Sequence, residues 1–113
     1  MKIEMPRGDL KNVSFSIKSN GVITDIEFDE IYVTFKRNEY VSDFLFQKKL
    51  TDGTIIKKED NTYYFTINPE DTDNLTYGQY VFDIEIIKVG SIKKTTTGIL
   101  NVTKEVTFIT NEE

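Results

Sequence analysis

Three observations in the sequence predict an all-β sandwich. Apolar and polar residues alternate in four separate segments, the pattern of strands with one buried and one wet face. Turn signals recur at the short spacing that a sandwich requires. Residues 63–87, YYFTINPEDTDNLTYGQYVFDIEII, read as a strand, a short connection and a tight Leu75-x-x-Gly78-x-Tyr80 approach to a long alternating strand. A tyrosine at the mouth of a strand locks the end-to-end crossing of an immunoglobulin-like sandwich. The expected fold is therefore an immunoglobulin-like antiparallel β-sandwich of about seven or eight strands, one domain over residues 1–113.

Each element has its own warrant. Residues 2–5 form a brief extended lead that ends at Pro6. Val13, Phe15 and Ile17 alternate with Ser14, Ser16 and Lys18, and Ser19-Asn20-Gly21 follows as a turn in which Gly21 can take positive φ. Ile31, Val33 and Phe35 repeat the alternation against Tyr32, Thr34 and Lys36. The polar stretch 37–43 predicts a loop and 44–50 a strand. Asp52-Gly53 is a hairpin signal suited to a two-residue type I′ turn, with Ile55 and Ile56 opening the return strand. Glu59-Asp60-Asn61 marks a further turn, after which Tyr63, Phe65 and Ile67 point inward. Pro69 starts a connection with room for one helical turn capped by Asn68. Tyr80, Phe82, Ile84 and Ile86 form the longest alternating run. Gly90 sits in the next turn, and 92–102 continues as a strand rich in β-branched threonine. Val106 and Phe108 extend that strand or form a short last one. The expected core is Val13, Phe15, Ile17, Ile31, Val33, Phe35, Phe65, Ile67, Phe82, Ile84 and Ile86.

Composition narrows the chemistry. Eight Phe and six Tyr can fill a small core with few residues. A net charge of −5 argues against nucleic acid, whose phosphates need clustered Lys and Arg, and against an anionic membrane surface. The chain has no Cys and no His, hence no disulfide, no thiolate site and none of the commonest general base. No segment approaches the length of apolar chain that spans a bilayer, and MKIEMPRGDL has no signal-peptide run, so synthesis in the cytosol is expected.

Several short patterns invite chemical readings. Arg7-Gly8-Asp9 matches an adhesive tripeptide, yet Gly8-Asp9 serves equally as turn residues after Pro6. Asp71-Thr72-Asp73-Asn74 resembles the opening of a calcium loop, but Thr76 and Phe82 stand where an EF-hand needs glycine and glutamate. Glu27, Asp29 and Glu30 are a second acidic cluster, read as a solvated rim. No glycine-rich phosphate loop appears, and a Ser or Thr nucleophile would lack a His base. The expectation is a non-enzymatic protein with no cofactor, metal or small-molecule substrate. Tyr32, Tyr64, Val81 and Ile87 fall on the phase opposite the core, and large apolar residues on a wet face are favoured at protein interfaces. They are the candidate interface residues. Gly78 and Tyr80 are the candidate structural corner, with the Tyr80 hydroxyl expected to bond backbone near 73–76.

The segments RGDLKNVSFSIKSNG, DEIYVTFKRN, FLFQKKL, DGTI and YYFTINPEDTDNLTYGQYVFDIEI, with the Thr-rich last strand, resemble short structural proteins of tailed phages and prophages of Firmicutes. Some of these are similar to the N-terminal domain of baseplate upper proteins. The resemblance spans roughly residues 7–109 and rests on strand and turn motifs. It implies an immunoglobulin-like virion component of tail, neck or baseplate, without catalysis. Such a protein resides in the virion, and in the bacterial host cytoplasm during assembly. It associates with other virion proteins or with itself. Phe82 stands where disulfide-bearing immunoglobulin domains place cysteine, so packing alone holds the core. A competing reading is a surface binding module, carbohydrate-binding or adhesive. Such sandwiches stack sugars on exposed aromatics, for which Tyr32 and Tyr64 are available although Trp is absent.

Overall fold

The structure, a computed structural model, describes residues 1–104. In chain order it comprises β1 (Lys2–Pro6), β2 (Lys11–Phe15), β3 (Lys18–Ser19), β4 (Val22–Ile23), β5 (Glu30–Lys36), β6 (Phe46–Lys49), β7 (Ile55–Lys57), β8 (Tyr63–Ile67), α1 (Pro69–Thr72), β9 (Gly78–Lys88) and β10 (Ile92–Thr103). A five-stranded sheet runs β1-β10-β9-β5-β6, a three-stranded sheet runs β2-β8-β7, and β3-β4 is a separate ribbon. The protein is all-β, as expected. Val106 and Phe108, expected to extend β10 or to form a short last strand, lie outside the described residues.

Two departures concern pairing. The expectation of an antiparallel sandwich is corrected at one edge, where β1 lies parallel to β10 with Ile3 beside Leu100. After β1 the chain turns through residues 7–10 to the opposite sheet, and the edge that β10 offers runs in the same direction as the N-terminal strand. The second departure is at Asp52-Gly53. This dipeptide closes no hairpin, because β6 and β7 belong to different sheets. A type I′ turn needs positive φ at both central residues, and here only Gly53 has it, at 85°. Asp52 Oδ1 instead accepts from the Thr54 N–H at 2.9 Å and the Thr54 hydroxyl at 2.6 Å, holding a wider turn that carries the chain across the sandwich. The same Asp-x-Thr device recurs at Asp60 and Thr62, with Asn61 at φ 66°. The tight hairpin is at Asn20-Gly21, where both residues have positive φ, 53° and 81°, between paired Ser19 and Val22.

The core sits between the five- and three-stranded sheets. Phe35 on β5 stacks on Phe46 at 4.3 Å, lies 5.1 Å from Phe82 on β9 and meets Phe65 of the opposite sheet edge-on at 6.1 Å. Each fully buried ring contributes about 1.5–3 kcal/mol relative to exposure. Nine of the eleven expected core residues are buried; Ile17 and Ile84 are only half-buried, which corrects that expectation. Their phase is right, but β2 ends at Phe15 and the three-stranded sheet is too short to cover the far half of β9. Ile3, Met5, Phe28, Ile55, Tyr63, Leu75, Tyr80, Leu100 and Val102 complete the core. An inward-facing charge also lies there: Lys48 on the edge strand β6 pairs with Asp71 of α1 at 2.8 Å. Inward charges on edge strands discourage pairing with foreign chains.

Candidate functional site

The chemical patterns in the sequence are spent on local structure. Arg7 lies over the Tyr77 ring, 4.6 Å from its centroid, and donates to the Leu75 carbonyl at 3.4 Å. The Gly8 N–H donates to Thr72 Oγ1 at 2.8 Å, fastening the turn after β1 to α1. Asp71 takes the Lys48 ammonium and also accepts from the Asn68 N–H at 2.8 Å, so it caps the helical turn rather than facing an ion. The acidic cluster is similarly dispersed. Glu27 pairs with Lys57 at 2.7 Å, Asp29 accepts from the Val89 N–H at 2.6 Å, and Glu30 accepts from the N–H groups of Ile31, Leu50 and Thr51. The Lys57 hydrogen bond holds Glu27 below the ordinary carboxylate range. For Glu30, burial pushes upward, but its bonds from Thr51, Ile31 and Leu50 outweigh that and lower it. Among the described residues, no group of three or more His, Cys, Asp or Glu side chains is placed to hold a metal ion.

The corner residues lie where the chain crosses from the three-stranded sheet to the five-stranded one. Gly78 has φ +137°, a region that side chains rarely adopt. Two residues on, buried Tyr80 donates its hydroxyl to the Thr76 carbonyl at 2.7 Å, with Thr76 Oγ1 also 3.0 Å away. The bond pins the connection to the strand that follows it.

The candidate interface residues do not form one patch. Tyr32, Val81 and Ile87 share the outer face of the five-stranded sheet, whereas Tyr64 is on the outer face of the three-stranded sheet, across the molecule. All four are half-buried. The Lys49 ammonium covers Tyr32 at 5.7 Å and the Lys58 ammonium covers Tyr64 at 5.3 Å. Ile87 sits between Glu30 and Lys93 in register. Val81 has the most apolar setting: its β10 neighbour is Ile99, and exposed Met1 adjoins both at a shallow cleft of about 380 Å³ with Lys36 and Glu39 on its rim. Sequence reasoning missed Ile99, because strand alternation reports a residue's face but not which residue of the next strand stands beside it. It also missed Tyr40, 88 % exposed, and Val89, 79 % exposed, since neither lies in an alternating segment.

No protein-family model matches this sequence, and neither does any curated protein.

Proposed function

We propose that this chain is an immunoglobulin-like, non-catalytic structural or assembly protein of a tailed-phage or prophage particle. It works by associating with other virion proteins or with itself. The fold part of the reading draws on strand order. If β1 is taken as strand A′ and β10 as G, the large sheet reads A′-G-F-C-C′ and the small one B-E-D, with the tyrosine corner at the start of F. The functional part is carried by one observation. The outer face of the large sheet presents Val81, Ile99 and Met1 side by side. The sequence resemblance supplies the setting: tail, neck or baseplate, with the host cytoplasm as the place of synthesis.

Purified particles searched by mass spectrometry should contain the protein. Val81→Asp, which places a charge in that strip, should reduce its incorporation roughly tenfold or more. Tyr32→Asp on the same face should do so less, since Lys49 already covers that ring. Absence from particles ends the virion reading. Normal incorporation of Val81→Asp ends the interface. The surface-module reading draws on Tyr40 and on Tyr64, the latter beside Ile56 and Thr54 at a small cleft of about 170 Å³. Glycan binding abolished by Tyr64→Ala would favour it instead.

A further inference from the structure

Beside the first half of β10, the inner side of the large sheet is only partly covered by the described residues. β1 pairs with β10 only over Ile99–Thr103 in register, leaving Ile92–Gly98 with β9 as its one strand partner among the described residues. The Ile99 N–H donates to the Met1 carbonyl at 3.0 Å, and the Thr103 carbonyl accepts from the Arg7 N–H at 3.0 Å. Odd-numbered residues of β10 therefore aim their backbone groups at the β1 side, since direction alternates along a strand. By the same alternation Lys93, Thr95 and Thr97 present N–H and C=O groups to a vacant edge collinear with β1. No bond to them from other described residues is made there.

Beneath that edge lie two adjoining clefts, of about 250 and 350 Å³, that share Ile17, Lys18, Ile86 and Lys94. Half-buried Ile17 and Ile84 form the apolar floor, and Lys18, Lys93 and Lys94 form an exposed cationic rim. A free ladder of hydrogen-bonding groups above an apolar groove is a site for strand addition.

We propose that residues 105–110 of a second copy of this chain occupy this position as an added strand. The segment 105–113, EVTFITNEE, offers Val106 and Phe108 on one face of a strand, and Glu105, Glu112 and Glu113 complement the lysine rim. The same copy's Val106 and Phe108 do not reach past Thr97: β10 ends at Thr103, about 20 Å from Thr97, a distance that takes about six residues to span, so only residues beyond 109 could lie along the open edge. β1 already holds the intervening stretch of edge. Donation is therefore head-to-tail, the arrangement that closes into rings or extends into filaments. This proposal rests on the self-association branch of the proposed function and names its contact.

Two full-length variants test it. Phe108→Asp keeps the acceptor edge and removes the donor. Thr95→Pro keeps the donor and removes one outward N–H, leaving the β9 ladder intact; Thr97→Pro is the equivalent should the first not fold. By sedimentation, the unaltered chain should associate with concentration, and each variant alone should do so roughly tenfold more weakly or worse. Mixed together, Phe108→Asp and Thr95→Pro should form a one-to-one dimer and nothing larger. An unaltered chain that stays monomeric at millimolar concentration, variants that associate normally, or a mixture that does not pair would each overturn the proposal. Particle mass spectrometry separates the two readings. Presence in particles without pairing sinks only the strand, and pairing without presence sinks only the virion role.

Discussion

Tyr80 and Lys48 are polar groups at or in the core, and each is satisfied by a partner that its own position calls for. Under the connection before β9 the Tyr80 hydroxyl is satisfied by the Thr76 carbonyl 2.7 Å away, with Thr76 Oγ1 at 3.0 Å. Tyr80→Phe removes the bond and little else, so urea denaturation should show a loss of about 1 kcal/mol. Equal stability would mean that the corner bond contributes nothing. The Lys48–Asp71 pair behaves differently, because both side chains are largely buried, 8 % and 15 % exposed. Breaking such a pair leaves one charge uncompensated, so Asp71→Asn should cost about 3 kcal/mol or more, whereas the double change Lys48→Met with Asp71→Asn should recover most of that. Additive losses in the two single variants and the double would show that the ammonium and carboxylate do not depend on each other. Nothing in the sequence pairs these two residues. Lys48 falls on the inward phase of its strand, and only the return of the chain through α1 brings Asp71 to it.

Strand faces were legible where alternation was long. β5, β8 and β9 follow their expected phase, because a period of two leaves a single choice of face once one side is buried. Pairing was not legible, and Gly98 shows why. It reads as an interruption in a threonine-rich strand, yet it is where β10 passes over Phe82 while Met1 closes the other side. A Cβ there would lie 2.4 Å from Phe82 Cζ and 2.8 Å from the Met1 carbonyl oxygen. The glycine permits a close approach rather than an unusual backbone angle. Gly98→Ala should therefore destabilise by about 1–3 kcal/mol, and adding Phe82→Leu should make the combined loss smaller than the sum. Thermal melts of the three variants check this, and a Gly98→Ala protein as stable as the original would refute the tight packing. The two X-Gly turns make the same point. Asn20-Gly21 and Asp52-Gly53 look alike in sequence, but one closes a hairpin and the other changes sheet, because Thr54 follows Asp52 and captures its carboxylate.

Across the whole molecule, acidic side chains are used as hydrogen-bond acceptors at turns and sheet ends. Asp52 and Asp60 are lowered from their ordinary value of 3.8, first by the Thr54 and Thr62 hydroxyls, and Glu27 and Glu30 are lowered from 4.5. A carboxyl whose folded pKa lies below its unfolded one adds stability above the unfolded value and loses it as pH falls through the folded one. The urea midpoint should thus decline with acidification below about pH 4.5, and Asp52→Asn with Asp60→Asn should flatten the slope. A midpoint independent of pH in that range would contradict the assignment. The unaltered chain has no histidine to add a step nearer neutrality.

By itself the sequence determined the all-β class, most of the core and the place of the corner, because each depends on short-range pattern: alternation, glycine backbone freedom and a tyrosine two residues past a turn. Tertiary structure alone decided that Tyr64 lies across the molecule from Tyr32, Val81 and Ile87, that Ile99 stands beside Val81, and that among the described residues half of β10 has no strand beyond it, above Ile17 and Ile84. These are facts of register and of unequal strand length. The hydrophobic effect that drives burial is non-directional, so a pattern of apolar residues states which faces are covered without stating which element covers them or how far it extends.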